Sequence, residues 1–297
     1  MKKSTKIFVF GGLICLLAGT IIMLITGAVG GVNIAHTLIT DYSFGKLHLS
    51  DDIVNGFEDT DFTGLAGTKA ISVSENEISA VKIAINGGEI SIREGRSDQI
   101  EICTDSLGLD YAVENGTLII KEEKNRVVYL DGQEIVVYLP EGMRFENIEI
   151  AVGGGELEAY SLNAGKITLK VGAGDADIES MNAGDLDINA GAGNITVERG
   201  NITGSTRINV GLGEADFYGT AGDDVDLKCG MGELSFSAEG MNFGEYNYEM
   251  RCGAGNICLN GNDYSGVGLT KYIDNGSEKT INIDCGMGEI DIDFSLF

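Results

Sequence analysis

Three carboxylate pairs, Asp175/Asp177, Glu214/Asp216 and Glu289/Asp291, have the residue type and spacing to do chemistry. Two residues apart on an extended strand, both members of a pair point to one face. Such a pair could hold a hard cation through oxygen ligands, or serve as acid and base in cleaving a glycosidic bond. The segment Gly172-Ala173-Gly174-Asp175-Ala176-Asp177 superficially resembles a calcium β-roll nonapeptide, so Asp175 and Asp177 are the metal candidates. The pattern does not persist. The second acid becomes Thr196 in the next copy, then Ser235 and Cys258 in later ones. The first member instead recurs as Glu89, Glu156, Asp175, Asn194, Glu214, Glu233, Asn256 and Glu289. Recurrence in every copy marks architecture, whereas a catalytic pair would break the pattern once. No catalytic residue is assigned, and no cofactor or enzymatic activity is expected.

Other chemistry is scarce. His36 and His48 lie early in the chain, away from the repeats, so no Ser/His/Asp or Cys/His arrangement can form there. No phosphate-binding loop or zinc-ligand spacing occurs. Tryptophan, the best sugar-stacking residue, is absent. Cys229, Cys252 and Cys285 occupy one position of the repeat, after Val171, Ala190 and Val210 in earlier copies, and read as small buried apolar residues. Cys103 and Cys258 alternate to the outer face. Cys15 follows Leu13-Ile14, without the small residues of a lipoprotein signal.

The element that positions all of these is a repeat. Apolar alternation, then Gly-x-Gly, then an acid or amide, recurs at Gly153/Gly155, Gly172/Gly174, Gly191/Gly193, Gly211/Gly213, Gly230/Gly232, Gly253/Gly255 and Gly286/Gly288. The second glycines are 19, 19, 20, 19, 23 and 33 residues apart. A fixed period near 20 with strand-like alternation predicts an all-β chain built as a parallel β-solenoid (β-helix) of coils of about 19–20 residues. Each coil is expected to stack on the one before it in chain order. The corner glycines are expected to adopt positive φ and to let neighbouring coils approach. The hand of the solenoid does not follow from the sequence.

Within a coil, Ile167, Leu169 and Val171 face the interior while Thr168 and Lys170 face out. The same register gives Leu186/Ile188/Ala190, Ile208/Val210, Val225/Leu227/Cys229 and Ile281/Ile283/Cys285. Asn163-Ala164-Gly165 and Asn182-Ala183-Gly184 mark a second corner. An irregular copy spans 71–140, with Asn86-Gly87-Gly88-Glu89 as its corner. The regular coils occupy 141–297. Insertions near Met241–Glu245 and Asn262–Lys279 break the period, and insertions in a solenoid emerge as loops on one edge.

Net charge is −26, with 46 acidic against 20 basic residues. A nucleic-acid partner needs a basic footprint, and none exists. Residues 1–6 form a basic tip carrying Lys2, Lys3 and Lys6. Residues 7–29 include an uncharged run long enough to span a bilayer as one transmembrane helix. The lysines hold the N-terminus in the cytoplasm and place the rest outside. A cleaved signal peptide is the rival reading, but the apolar run exceeds the usual 7–15 residues or so. Gly11, Gly19 and Gly27 share a helix face that would let two such helices self-associate. Residues 30–70 read as a stalk, and 71–297 as the solenoid domain.

The block from Glu134-Ile135-Val136-Val137-Tyr138-Leu139-Pro140-Glu141-Gly142 through the Gly-x-Gly coils resembles the bacterial β-strand-repeat family catalogued as "putative adhesins", a domain family of unknown function. The resemblance covers roughly residues 75–293. It implies a membrane-anchored or secreted envelope protein and supplies no catalytic residues. The resulting expectation is an extracytoplasmic structural or interaction module, adhesin-like or an accessory to envelope-stress signalling, with an envelope protein or glycan as partner. The alternative is a β-helix carbohydrate-binding or polysaccharide-degrading protein.

Overall fold

Strand-forming alternation runs through almost all of the part of the chain that the structure, a computed structural model, describes. The described residues are 63–65, 69–74, 78–96, 99–104, 109–122 and 134–295. The basic tip, the 7–29 segment with its Gly11/Gly19/Gly27 face, the stalk up to residue 62, and both histidines lie outside them. Among the described residues no helix is long and apolar enough to cross a membrane.

The fold is all-β, a single curled sheet. Two parallel ladders form its walls and meet at the Gly-x-Gly corners. The first wall stacks, in spatial order, Thr117–Glu122, Ala80–Ile85, Phe145–Val152, Leu162–Val171, Met181–Ala190, Thr206–Val210, Val225–Cys229, Thr280–Cys285 and Asn247–Cys252. The second stacks Glu134–Pro140, Glu89–Gly95, Glu156–Ala159, Asp175–Ile178, Asn194–Ile202, Glu214–Ala221, Glu233–Glu239, Glu289–Ser295 and Asn256–Leu259. Between the walls lies one apolar core. Ile83, Ile150, Leu169, Ile188, Ile208, Leu227, Ile283 and Met250 form one of its buried columns. Alternation therefore divides the regular wall strands as expected, interior on one side and solvent on the other, whereas in the coils near the N-terminal end Ala84, Ser91 and Ala151 are buried on the outward side as well.

Chain order fails at both ends. The coil at 80–95 lies inside the coil at 117–140, and the last coil in sequence, 280–295, lies inside the coil at 247–259. Stacking of each coil on its predecessor thus holds only from 147 to 239. The outermost coil at each end is covered by antiparallel strands. Gln99–Thr104 and Leu109–Glu114 cover one end, with Lys69–Ser74 and Thr63–Leu65 beyond them. Asn262–Ser265 and Leu269–Ile273 cover the other. A solenoid end exposes a row of unpaired backbone groups, and a cap is the usual remedy.

Both insertions have structural work at the C-terminal end. Met241 is buried, and its Sδ accepts the Ala221 N–H at 3.2 Å. The 3-10 turn Phe243–Glu245 follows it. Tyr246 and Tyr248 then fill the interior, donating to the carbonyls of Ala221 at 2.7 Å and Phe243 at 2.8 Å. The longer insertion supplies the antiparallel cap.

Of the two reasons expected for the corner glycines, close approach of neighbouring coils holds and positive φ does not. Among the glycines of these corners only Gly88, in the irregular copy, has positive φ, at 83°. Gly155, expected to turn the first regular corner through positive φ, does not do so, and neither does any other glycine of the regular Gly-x-Gly corners. A Cβ on Gly155 would instead overlap the carbonyl oxygen of Gly88, the equivalent glycine one coil away. Gly174 meets Gly155 in the same way, and Gly193, Gly213, Gly232 and Gly288 each meet the equivalent glycine of a neighbouring coil. The expectation for Gly155 and its counterparts is thereby corrected. Close stacking of backbone on backbone excludes the side chain, not the local dihedral.

Candidate functional site

The acid or amide after each corner begins the second-wall strand and faces out. Parallel in-register pairing converts its recurrence into a column: Glu134, Glu89, Glu156, Asp175, Asn194, Glu214, Glu233, Glu289, Asn256. Neighbouring coils are about 4.8 Å apart, so like charges crowd one another. The two amides relieve this locally. Asn194 Nδ2 donates to Asp175 Oδ1 at 2.9 Å, and Asn256 Nδ2 donates to Glu289 Oε1 at 3.1 Å. Glu214 has no such relief. Asp216 on its own strand, some desolvation and Glu233 on the next coil all raise its carboxyl above the usual range.

A second outward column runs beside the first: Glu158, Asp177, Thr196, Asp216, Ser235, Asp291 and Cys258, with Ser91 buried at its N-terminal end. Asp175 and Asp177 therefore sit in adjacent columns of one exposed face, as do the other pairs. Among the described residues no group of three or more His, Cys, Asp or Glu side chains could hold a metal ion. Asp175 is instead engaged by Asn194.

Where the second wall bends away from these columns, a groove of about 630 Å³ crosses four coils. Arg93, Glu158, Tyr160, Asp177, Glu179 and Glu198 contribute to its lining. Tyr160 is 52 % exposed there, leaving a ring face open to a ligand. Arg199 holds Glu179 at 2.7 Å across adjacent coils. Sequence reasoning missed Arg93, Tyr160 and Glu198. They follow the repeated pair, where residue types change from coil to coil, and that loss of repetition was the available signal.

The cysteine column is interior, as expected, but in a different order. Cys285 pairs in register with Cys229 on one side and Cys252 on the other. All three are free and buried. Burial pushes the Cys229 thiol up to about 11 and that of Cys285 to about 12, and raises Cys252 as well. Thiols held protonated are poor nucleophiles. Cys258 is half-exposed on the outer face, its thiol raised by burial and by Asp291 beside it.

The Toastrack DUF4097 family model matches residues 78–268, more than half of the chain. No curated protein matches significantly. Similar solved structures include a "putative cell adhesion protein" from Clostridium sporogenes ATCC 15579, at 18% identity over 78% of this chain and 100% of that one, with a TM-score of 0.39. A "putative adhesin" from Bacteroides fragilis NCTC 9343 shares 15% over 78% and 97%, with a TM-score of 0.43. A "putative lipid binding protein" from Parabacteroides distasonis ATCC 8503 shares 16% over 77% and 98%, with a TM-score of 0.46.

Proposed function

Starting from a chain that belongs to the Toastrack family, we propose that it is a membrane-anchored, extracytoplasmic interaction module without catalytic activity. Its role is adhesin-like or accessory to envelope-stress signalling. The observation that carries this reading is the uninterrupted outward surface of the second wall. An acid or amide stands at the same place in every coil, a carboxylate in most and Asn194 or Asn256 in two, with no single pair set apart, the pattern of a long binding face and not of a reaction centre. The uncharged 7–27 run after Lys2, Lys3 and Lys6 supports a single anchor with the N-terminus in the cytoplasm. The Gly11/Gly19/Gly27 face would allow anchors to pair.

Protease added to intact spheroplasts should remove the coils and leave the anchor. Protected coils, or a chain released into the medium, would contradict the topology. One observation favours a second reading, a carbohydrate-binding surface: the groove with exposed Tyr160 beside Arg93 and carboxylates. A glycan array probed with the full chain and a Tyr160→Ala variant separates the two. Glycan binding lost on substitution supports the second reading.

A further inference from the structure

The middle residue of each Gly-x-Gly corner forms a knuckle on the outer edge where the two walls meet. Its N–H hydrogen-bonds the coil beneath: Leu212 to the Gly191 carbonyl, Met231 to Gly211, Met287 to Gly230 and Ala254 to Gly286. These contacts fix the knuckles as one file, with Leu212, Met231 and Met287 consecutive. In chain order Ala254 would separate the two methionines. Insertion of the last coil beneath the 247–259 coil brings them together. The three side chains are 40 %, 38 % and 36 % exposed, an apolar ridge on a chain of net charge −26. Exposed Ala173 and Ala192 extend it at one end and Ala254 at the other.

Two residues further along each coil, Glu214, Glu233 and Glu289 run parallel to the ridge in the same register. The crowding that raises the Glu214 carboxyl is the kind a nearby cation would relieve. We propose that the Leu212–Met231–Met287 ridge and the Glu214–Glu233–Glu289 file form a docking site for a cationic amphipathic helix of a partner protein. Methionine and leucine take the apolar stripe, methionine adapting its shape readily. The carboxylates take the flanking lysines or arginines. The spacing suits a helix: its pitch of about 5.4 Å follows knuckles about 4.8 Å apart over three coils, whereas alternate residues of a strand, about 6.8 Å apart, drift out of step. The parallel carboxylates repel anionic lipid, which argues against a membrane surface as the occupant.

This site deepens the interaction-module reading and rests on it for its biological setting. Its test is biochemical and independent of topology: loss of the site leaves the spheroplast result standing, and a failed topology leaves the site standing. The full chain in non-ionic detergent is titrated with a photoreactive Leu/Lys amphipathic helical peptide and with its Leu/Glu counterpart. The Leu/Lys peptide should bind and cross-link to segments containing residues 212, 231 and 287. Met231→Gln/Met287→Gln should weaken it at least tenfold. Glu214→Gln/Glu233→Gln/Glu289→Gln should weaken it similarly and flatten its salt dependence. Both variants share the same micelle as wild type, so their differences from it report the ridge and the carboxylate file and not detergent binding. Urea midpoints identify any variant that has lost its fold, and Met231→Gln alone then replaces the double change. Unchanged affinity in the ridge variant, equal binding of the Leu/Glu peptide, or cross-links confined to the 7–29 segment would overturn the proposal. Labelling of the knuckles by a photoreactive lipid and not by the peptide would overturn it in favour of a lipid surface.

Discussion

At Gly193 the nearest obstacle to a side chain is the carbonyl oxygen of Gly174, a backbone atom that cannot move without shifting a coil. Gly193→Val should therefore cost about 3 kcal/mol or more, as overpacking against a fixed neighbour does. Thr196→Val, three residues on and facing out, should cost close to zero. Urea unfolding of both variants checks this, and equal midpoints would contradict the stacking. The cysteine column allows a second prediction. Cys229, Cys252 and Cys285 can each become valine with the fold retained, because Val171 and Val210 fill the same column in earlier coils. In the native state these thiols should label slowly and Cys258 first among the four. Burial raises their pKa values in the fold, to about 11 for Cys229 and about 12 for Cys285. In the unfolded chain they ionise from about pH 8.5. Their contribution is thus fully present below that pH and is lost as pH rises towards 11–12, by up to about 1.4 kcal/mol per pH unit per thiol. The urea midpoint should fall across this range, and the triple valine variant should lose part of that fall. Equal pH profiles for the two proteins would contradict the buried column.

At the scale of elements, much was legible and the reason is periodicity. Strand, corner and interior face followed from alternation and glycine spacing, since in-register stacking makes equivalent residues neighbours. Coil order was not legible. Nothing in Gly253-Ala254-Gly255 or Gly286-Met287-Gly288 says which follows Gly230-Met231-Gly232 in space. That choice depends on the cap strands Asn262–Ser265 and Leu269–Ile273, which carry no repeat signature. The reason for the corner glycines was half legible: at Gly155, Gly174 and Gly193 close approach held and positive φ did not. The groove residues Arg93 and Tyr160 escaped because they vary between coils. The caps lead to a prediction of their own. Replacing 262–273 with a short Gly/Ser link would bare the edges of Asn247–Cys252 and Asn256–Leu259, and bare edges pair with other chains. Sedimentation should then show concentration-dependent self-association of the full chain in detergent beyond that of the wild type. An unchanged sedimentation profile would mean that the cap has another purpose.

For the molecule as a whole, a net charge of −26, with carboxylates stacked on the outward face of the second wall about 4.8 Å apart, sets the response to salt. Screening shortens the reach of repulsion to about 8 Å at physiological ionic strength. Raising sodium chloride from low to physiological levels should therefore raise the urea midpoint, and a fall would show that attractive pairs such as Arg199–Glu179 dominate. The ridge, the cysteine order and the cap all depend on the interleaved stack, in which the coil at 280–295 lies between those at 225–239 and 247–259. The most direct measurement is oxidative cross-linking of paired cysteines introduced at exposed knuckles, read by mass mapping. Met231→Cys with Met287→Cys places the two Cα atoms about one coil apart, within the range of about 4.4–6.8 Å that a disulfide uses. Met231→Cys with Ala254→Cys places them about two coils apart, beyond it. Bridging of 231 to 287 and not to 254 is the expected result; bridging of 231 to 254 and not to 287 would restore chain order and contradict the fold described here.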